Sequence, residues 1–414
     1  MRLLYTIGVW GYTLGIRIAA LFGHKKARLM VEGWRTRHGE QSVKNGEWAW
    51  FHASSLGEFE QARPVLEAYR LRHPDHRILV TFFSPSGYEV RKNYPLADTI
   101  RYLPMDTPRN VRRFLDTYRP TVAFFVKYEF WYNYLGELHR RGIPTYIFSA
   151  IFRPGQYFFK WYGSWFRTQL QLCFKHLFVQ NEESLQLLQN HGIAQCSLAG
   201  DTRFDRVHQI ATAAEPDDIV EAFLQGYEGH ILVGGSTWPP DEQILADARR
   251  INPDGFPGRI ILAPHVISEE HLRQIETLFP DSIRYSRLSE GFGNSSNSNV
   301  LIIDNIGLLS KLYRYATVAY IGGGFGAGIH NILEAVTFGK PVFFGPNHLK
   351  FQEAHDIIAC GGGWSIKDAH DMTKGDFHRL LTHPDELQQA SHACLDYMNA
   401  NLGSTGKIIN TIES

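Results

Sequence analysis

The residues best suited to chemistry lie in two stretches. In one, Gly322, Gly323, Gly324, Gly326 and Gly328 follow the apolar run Val318–Ile321, and Asn331 and Glu334 come just after them. A strand that breaks into glycines and then into a helix leaves free backbone N–H groups and the positive end of a helix dipole facing one spot. Such a spot suits a phosphate or a carboxylate. Glycine lets the backbone approach a ligand with no Cβ in the way. Glu334 stands about one turn inside the expected helix, where its carboxylate can accept two hydrogen bonds from a ribose diol. A bare strand-to-helix turn would use the same glycines; Asn331, Glu334 and Lys340-Pro341 at these offsets favour a nucleotide site. In the other stretch, FHASSLGEFEQARPVLEAYR, residues Ser54, Ser55 and Gly57 form a turn. Glu58 then opens a helix whose apolar face includes Val65 and Leu66. A carboxylate there can cap the helix or take a proton from an acceptor hydroxyl. Position alone does not choose between the two.

Both stretches need strands to hold them. Apolar runs at residues 48–52, 78–83, 122–126, 145–148 and 177–179 alternate with helical patterns such as 109–118 and 130–141. The series restarts with 231–234, 260–263, 301–303, Val318–Ile321 and 342–344, after a more charged tract at 211–229. Such alternation predicts parallel, doubly wound α/β sheets. A chain of 414 residues, 44% hydrophobic, is long enough for two such domains. The expected organisation is an N-terminal membrane-associated helix at 1–32 and two Rossmann-like domains, at 33–207 and 208–414, the second carrying the glycine-rich stretch. Ligands in open α/β sheets sit beyond the carboxyl ends of the strands, so the glycine turns are expected to wall a cleft between the domains.

Composition excludes some classes. Lys and Arg together number 42, as do Asp and Glu, which gives no global pull toward nucleic acid. Cys173, Cys196, Cys360 and Cys394 form no CxxC pair, which fits a reducing compartment and speaks against a zinc site. Nineteen histidines show no HExxH spacing, and the tract 291–299 reads as a flexible loop. The N-terminus differs from the rest. Residues 3–22 carry one charge, Arg17, and are enough to span a bilayer or lie in its surface. His24, Lys25, Lys26 and Arg28 follow as a basic cluster suited to anionic headgroups. A second segment, 157–167, mixes aromatics with cations, as interfacial segments do, although its rings could equally pack into a core.

Taken together, SxGE at 55–58, TFFSPSGYE at 81–89, EFWYN at 129–133, GDTRFD at 200–205, GGST at 234–237 and GIHNILEAVTFGKP at 328–341 resemble the 3-deoxy-D-manno-octulosonic acid (Kdo) transferases. The motifs run in order across nearly the whole chain. The resemblance implies a GT-B fold, with two Rossmann-like domains facing a central cleft. It implies transfer of Kdo from CMP-Kdo to a hydroxyl of the lipid A precursor (lipid IVA) in lipopolysaccharide biosynthesis, at the cytoplasmic face of the inner membrane. Glu58 matches the family's proton acceptor in an inverting transfer, with Ser55 and Gly57 beside it at the acceptor. CMP contacts fall on Ser236, Thr237, Pro264, His265, Ile306, Gly307, Leu308, Gly324, Asn331, Ile332, Leu333 and Glu334. Arg203 stands where the family usually has a lysine that helps stabilise the transition state.

Some positions depart from the family pattern. Lys127 replaces a carboxylate given a transition-state role, and Glu129, two residues on, is expected to take over part of it. His265 replaces an arginine and Leu308 a glutamate. CMP is a monophosphate leaving group, and no apolar-flanked DxD motif is present, so no metal or other cofactor is expected. Helix N-termini and Arg203 could stabilise the departing phosphate instead. Two other readings stay open at this point: a sugar-nucleotide 2-epimerase of the same architecture, and a non-catalytic sugar-nucleotide-binding membrane protein.

Overall fold

Residues 1–35, 46–291 and 298–414 are described by the structure, a computed structural model; most of the tract expected as a flexible loop, 291–299, lies outside the described residues. The chain divides into two compact units, Met1–Arg206 with Leu402–Ser414, and Val207–Asn401. The last helix, Ser404–Glu413, thus belongs to the first unit, whereas a boundary at 208 with everything beyond it in the second domain assigns it to the other. Ile408 and Ile409 of that helix lie in the same apolar cluster as Val65 and Leu66. Asp205 fastens its start, accepting from the N–H groups of Gly403 (2.7 Å) and Thr405 (2.6 Å).

In the first unit, β1 (Trp48–Ala53), β2 (Arg77–Phe82), β3 (Thr99–Tyr102), β4 (Pro120–Val126), β5 (Thr145–Ala150), β6 (His176–Val179) and β7 (Cys196–Leu198) form one parallel sheet. Its order is β3-β2-β1-β4-β5-β6-β7. Parallel strands are covered on both faces, and successive side chains point to opposite sides. Trp48 and Trp50 of β1 accordingly join Ala123 and Phe125 of β4 in one cluster. Ala49, Phe51 and Ala53 join Val122, Phe124 and Val126 in another.

The second unit repeats the plan. Here β8 (Ile231–Thr237), β9 (Arg259–Pro264), β10 (Ser282–Arg284), β11 (Val300–Ile302), β12 (Val318–Ile321), β13 (Val342–Phe344) and β14 (Gly363–Ser365) pair in parallel. Their order is β10-β11-β9-β8-β12-β13-β14. The order turns about between β1 and β4 in the first sheet and between β8 and β12 in the second, where β11 also inserts between β9 and β10. Ligands of doubly wound sheets sit at the carboxyl ends of the strands flanking that reversal.

The expected N-terminal helix is two helices, α1 (Arg2–Leu21) and α2 (Lys25–Arg35), joined at Gly23, whose φ of 91° is open to glycine at little cost. The exposed residues of α1 include Leu3, Ile7, Trp10, Leu14, Ile18 and Leu21, at helical spacing along one face. The face toward the unit carries polar anchors. Arg2 donates to Asn133 (3.0 Å), Tyr5 to Asp106 (2.6 Å), and Asn133 to Thr6 (3.2 Å). A helix on a water-facing surface has the opposite arrangement, apolar inside and polar outside.

Candidate active site

At the first reversal, β1 runs out at Ala53 and α3 (Leu56–Arg72) begins after the two residues Ser54 and Ser55. Ser55 is the N-cap, and its side chain and Glu58 form a capping box. Glu58 Oε2 accepts from the Ser55 backbone N–H (2.9 Å) and from its hydroxyl (3.1 Å). Burial pushes the Glu58 carboxyl above its ordinary value, and the neighbouring Glu129 charge pushes it the same way. Gly57 lies one residue before it and is exposed; a Cβ added there would meet nothing within 4 Å. The protein itself therefore has no steric need for glycine at that point.

On the other side of the reversal, β4 ends at Val126 and Lys127 follows with a φ of 64°. A left-handed backbone on a residue with a branchless but real side chain costs energy and calls for an explanation. It turns the chain so that Glu129 drops back under β1, where it is buried. Glu129 Oε2 meets His52 Nε2 (3.1 Å) and accepts from Trp131 Nε1 (2.5 Å). His52, on β1, is wholly buried, and its other ring nitrogen faces the Thr81 hydroxyl (2.9 Å) and carbonyl (3.1 Å) on β2. Burial works to raise the Glu129 carboxyl, but hydrogen bonds from His52, Ser54 and Trp131, with the charge of His52, outweigh it and bring it below its usual value. The consecutive residues Ser54 and Ser55 thus each hold one of two carboxylates that are pushed in opposite directions.

Arg203 lies in the first turn of the helix Thr202–Thr212. It is paired with Asp201 (2.6 Å), which also accepts from Gln61 of α3 (3.0 Å). Thr202 bonds the hydroxyl of Ser149 on β5 (2.9 Å) and the carbonyl of Gln61 (2.7 Å), so this helix is tied to α3 and the sheet.

In the second unit, β8 ends with Ser236, at a φ of 51°, and Thr237. Gly322 must be glycine for packing, since a Cβ would stand 2.2 Å from the Ser236 carbonyl; at Gly324 it would stand 2.5 Å from the Gly345 nitrogen. Asp241, buried, holds this turn by accepting from Gly323 N–H (2.9 Å), Trp238 N–H (2.9 Å) and the Tyr320 hydroxyl (2.8 Å). Thr237 is bonded to Glu242 (2.8 Å), which meets His271 (2.8 Å). Past Pro264, the exposed His265 ring stacks on Trp238 (4.7 Å between centroids) and on His330 (4.4 Å). Trp238 Nε1 donates to His330 Nε2 (3.1 Å). Burial, and then the nearby His265, hold the His330 ring below the usual histidine range.

The helix expected after the glycines is a single turn, Leu333–Val336. Four aligned peptides give little of the dipole expected to face a phosphate. Just before that turn Asn331 accepts from Leu333 N–H (3.2 Å) and donates to Glu334 (3.0 Å), so the pair is held together and reaches the surface. The Ile332 and Leu333 side chains are buried, which leaves only their main chain to meet a ligand. Beyond β11, Ile306 is 94% exposed, Gly307 has a φ of 101°, and Leu308 begins a short turn. Among the described residues, no three His, Cys, Asp or Glu side chains converge as a metal-ligand set. His52, Trp131, Asp241, Trp238 and His330 did not stand out in the sequence, although each lies inside or beside a motif that did.

A model of the family described as 3-deoxy-D-manno-octulosonic-acid transferase (kdotransferase) matches residues 32–206. The 3-deoxy-D-manno-octulosonic acid transferase of Aquifex aeolicus is 25% identical over 338 residues, 80% of this chain and 86% of that protein. That of Chlamydophila psittaci is 27% identical over 410 residues, 93% of this chain and 86% of that one. Residues 32–206 thus match the Kdo transferase family, and the curated relatives extend the similarity over most of the chain. Among solved structures, UDP-GlcNAc 2-epimerase from Neisseria meningitidis bound to UDP-GlcNAc superposes with a TM-score of 0.61 at 15% identity, over 88% of this chain and 99% of that one. That likeness shows the fold alone, which is GT-B-like with two parallel seven-stranded sheets.

Most of the residues expected from sequence fall into two groups. Glu58, Ser55, Gly57, Lys127 and Glu129 gather at the β1/β4 reversal of the first unit. Ser236, Thr237, Pro264 and His265 lie at the carboxyl ends of β8 and β9, and Gly324, Asn331 and Glu334 follow β12, in the second. Glu129 is enclosed by His52 and Trp131, so it acts on its neighbours through charge and hydrogen bonds.

Proposed function

We propose that this protein transfers Kdo from CMP-Kdo to a sugar hydroxyl of the lipid A precursor, in one inverting step with Glu58 as the general base. The observation that carries the reading is the pair of carboxylates at the β1/β4 reversal, one pushed up and one held down. Environments that drive two carboxyl groups apart assign them different tasks. Glu58 Oε2 is held by Ser55, and Oε1 is left for the acceptor hydroxyl. As the hydroxyl oxygen bonds to the anomeric carbon, its proton passes to Glu58. The bond from that carbon to the phosphate oxygen breaks, and CMP leaves with the electron pair. Open space over Gly57 suits a sugar ring close to the backbone. Arg203 meets the departing charge already paired with Asp201, so its help is partly compensated. The second unit holds the nucleotide: the Asn331–Glu334 pair suits the ribose diol, and His265 and Ile306 offer exposed surface.

The acceptor is a lipid, and α1 fits that role. Its exposed face is apolar, and its docked face is fixed to the unit from Arg2 to Tyr12, whose ring stacks near Phe83 (6.3 Å). A helix held along its side in this way lies within one leaflet rather than crossing it. Phe83 in turn packs on Trp131 (4.9 Å), so a short run of rings joins the membrane helix to the Glu129 carboxylate. The site belongs on the cytoplasmic face of the inner membrane.

The test is CMP release by the purified protein from CMP-Kdo, with and without lipid acceptor, followed by mass analysis of the lipid. Release that requires acceptor, with the lipid gaining Kdo, is expected. Release without acceptor, or a changed sugar on intact nucleotide, would point to an epimerase, and no turnover to a binding protein. In the same assay Glu129→Gln removes a negative charge that raises the Glu58 carboxyl. Glu58 then ionises more readily, so the acid limb of the kcat/KM profile moves to lower pH. A limb that stays put would separate the two carboxylates.

A further inference from the structure

The chain carries 42 acidic residues in 414, yet two long stretches contain none. Residues 1–31 hold Arg2, Arg17, Lys25, Lys26 and Arg28 with no Asp or Glu. Residues 138–181 hold Arg140, Arg141, Arg153, Lys160, Arg167 and Lys175, again with no Asp or Glu. The fold brings the two together. The Tyr5 ring of α1 meets Tyr132 edge-on (5.1 Å), and Tyr132 packs on Trp165 (5.1 Å) and Phe166 (5.4 Å). The Tyr132 and Tyr157 hydroxyls are 2.9 Å apart.

From this junction a short loop projects. The turn Tyr157–Phe159 is pinned by the buried Phe158, and Arg167 braces it by donating to the Phe158 carbonyl (2.7 Å). The chain returns at Gly163, where a Cβ would stand 2.1 Å from the Tyr157 carbonyl oxygen. At the tip Trp161 is 92% exposed and Tyr162 51% exposed, ring edge to ring face, with Lys160 and Arg153 exposed beside them. Indole and phenol rings favour the headgroup level of a bilayer, and cations beside them favour an anionic one.

We propose that the Trp161–Tyr162 tip is a second membrane-insertion point, which with α1 forms one basic, aromatic surface seated on an anionic bilayer. The inference deepens the membrane reading of α1 and rests on it. Two points of contact, a helix and a tip, restrict how the unit can roll on the bilayer; one helix alone leaves that rotation free. The occupant is the interfacial layer of a membrane rich in anionic headgroups, argued from the absence of carboxylates in both stretches, from the exposed rings beside Lys160 and Arg153, and from the Tyr5–Tyr132–Trp165 contacts that join this segment to α1.

The test uses the full chain with Cys360→Ala, since Cys360 is the exposed cysteine. Trp161→Cys in that background carries an environment-sensitive fluorophore, and Leu71→Cys, exposed near the end of α3, serves as a comparison. With vesicles of phosphatidylethanolamine and phosphatidylglycerol, the label at 161 should shift to the blue and the label at 71 should not. Trp161→Ala should weaken partitioning onto those vesicles about tenfold, as expected for withdrawing one large ring from the interface. Because Trp161 is exposed, the variant should melt with the parent. A protein that pellets with vesicles while the 161 label stays in water overturns the proposal and leaves the α1 reading standing. Equal shifts at 161 and 71 would mean non-specific adsorption and overturn it as well. A shift that grows with protein concentration in the absence of lipid would make the tip a contact between copies of this chain, against the proposal. Failure to bind vesicles at all removes both readings.

Discussion

Glu58→Gln is expected to lower kcat for acceptor-dependent Kdo transfer by about 10²–10⁴-fold while leaving CMP binding and thermal stability close to those of the parent. The substitution isolates the proton acceptor because it spares the fold. A capping box accepts Glu or Gln at its third position, and a Gln oxygen can still receive the Ser55 N–H that Glu58 Oε2 now receives at 2.9 Å. Glu58→Ala would confuse the two roles, since loss of a helix cap alone costs about 0.5–2 kcal/mol. The pH profile adds a second readout. Only the ionised carboxylate can take a proton, so the kcat/KM of the parent rises as Glu58 loses its own. Burial and the charge of Glu129 hold that carboxyl above its ordinary value, which moves the rise to higher pH than an exposed glutamate would give. In the Gln variant this limb should vanish. Near-parental turnover with a persistent limb would leave Glu58 as a cap and nothing more.

The capping role of Glu58 was legible in the sequence and the structure shows it; the catalytic role is the proposal, supported by a carboxyl held above its ordinary value. What sequence reading missed in the fold has one physical cause. The strands absent from the apolar-run series are β3, β7, β10 and β14, the four sheet edges. Central strands such as β4 are covered on both faces and read as unbroken apolar runs; TIRY, CSL, SIR and GWS are short and only partly covered, so they carry no such run. In the site, Asn331 and Glu334 could be paired from their spacing because a single helical turn fixes it. His52 and Glu129 lie 77 positions apart and meet only because β1 and β4 are neighbours at the reversal. No local pattern carries that adjacency. The glycines are ambiguous for a different reason. Gly322 and Gly324 are required by backbone packed against them, at Ser236 and Gly345, so their presence would be demanded by this turn with or without a ligand.

That packing gives the largest stability effect expected in the second unit. Asp241 is wholly buried and satisfies three groups at once: the N–H of Gly323, the N–H of Trp238 and the hydroxyl of Tyr320. It therefore ties the end of β12, the glycine turn and the start of the helix Pro239–Ile251 to one carboxylate. Asp241→Ala would leave the three donors without that acceptor, at about 1–3 kcal/mol for each that stays unsatisfied. Relaxation and entering water recover part of this, so a net loss of about 3–5 kcal/mol is expected. A two-unit chain need not melt in one step, so the readout should be local. Amide exchange at Gly323 and Trp238 should accelerate. CMP affinity should fall with it, because Trp238 supports the His265 and His330 rings. Asp241→Asn keeps one acceptor oxygen and should fall between the two, whereas the Glu58 region of the first unit should keep its protection in both variants. Unchanged exchange at Gly323 in Asp241→Ala would mean the glycine turn is held by its backbone contacts alone, and the donor side would then need no carboxylate to keep its shape.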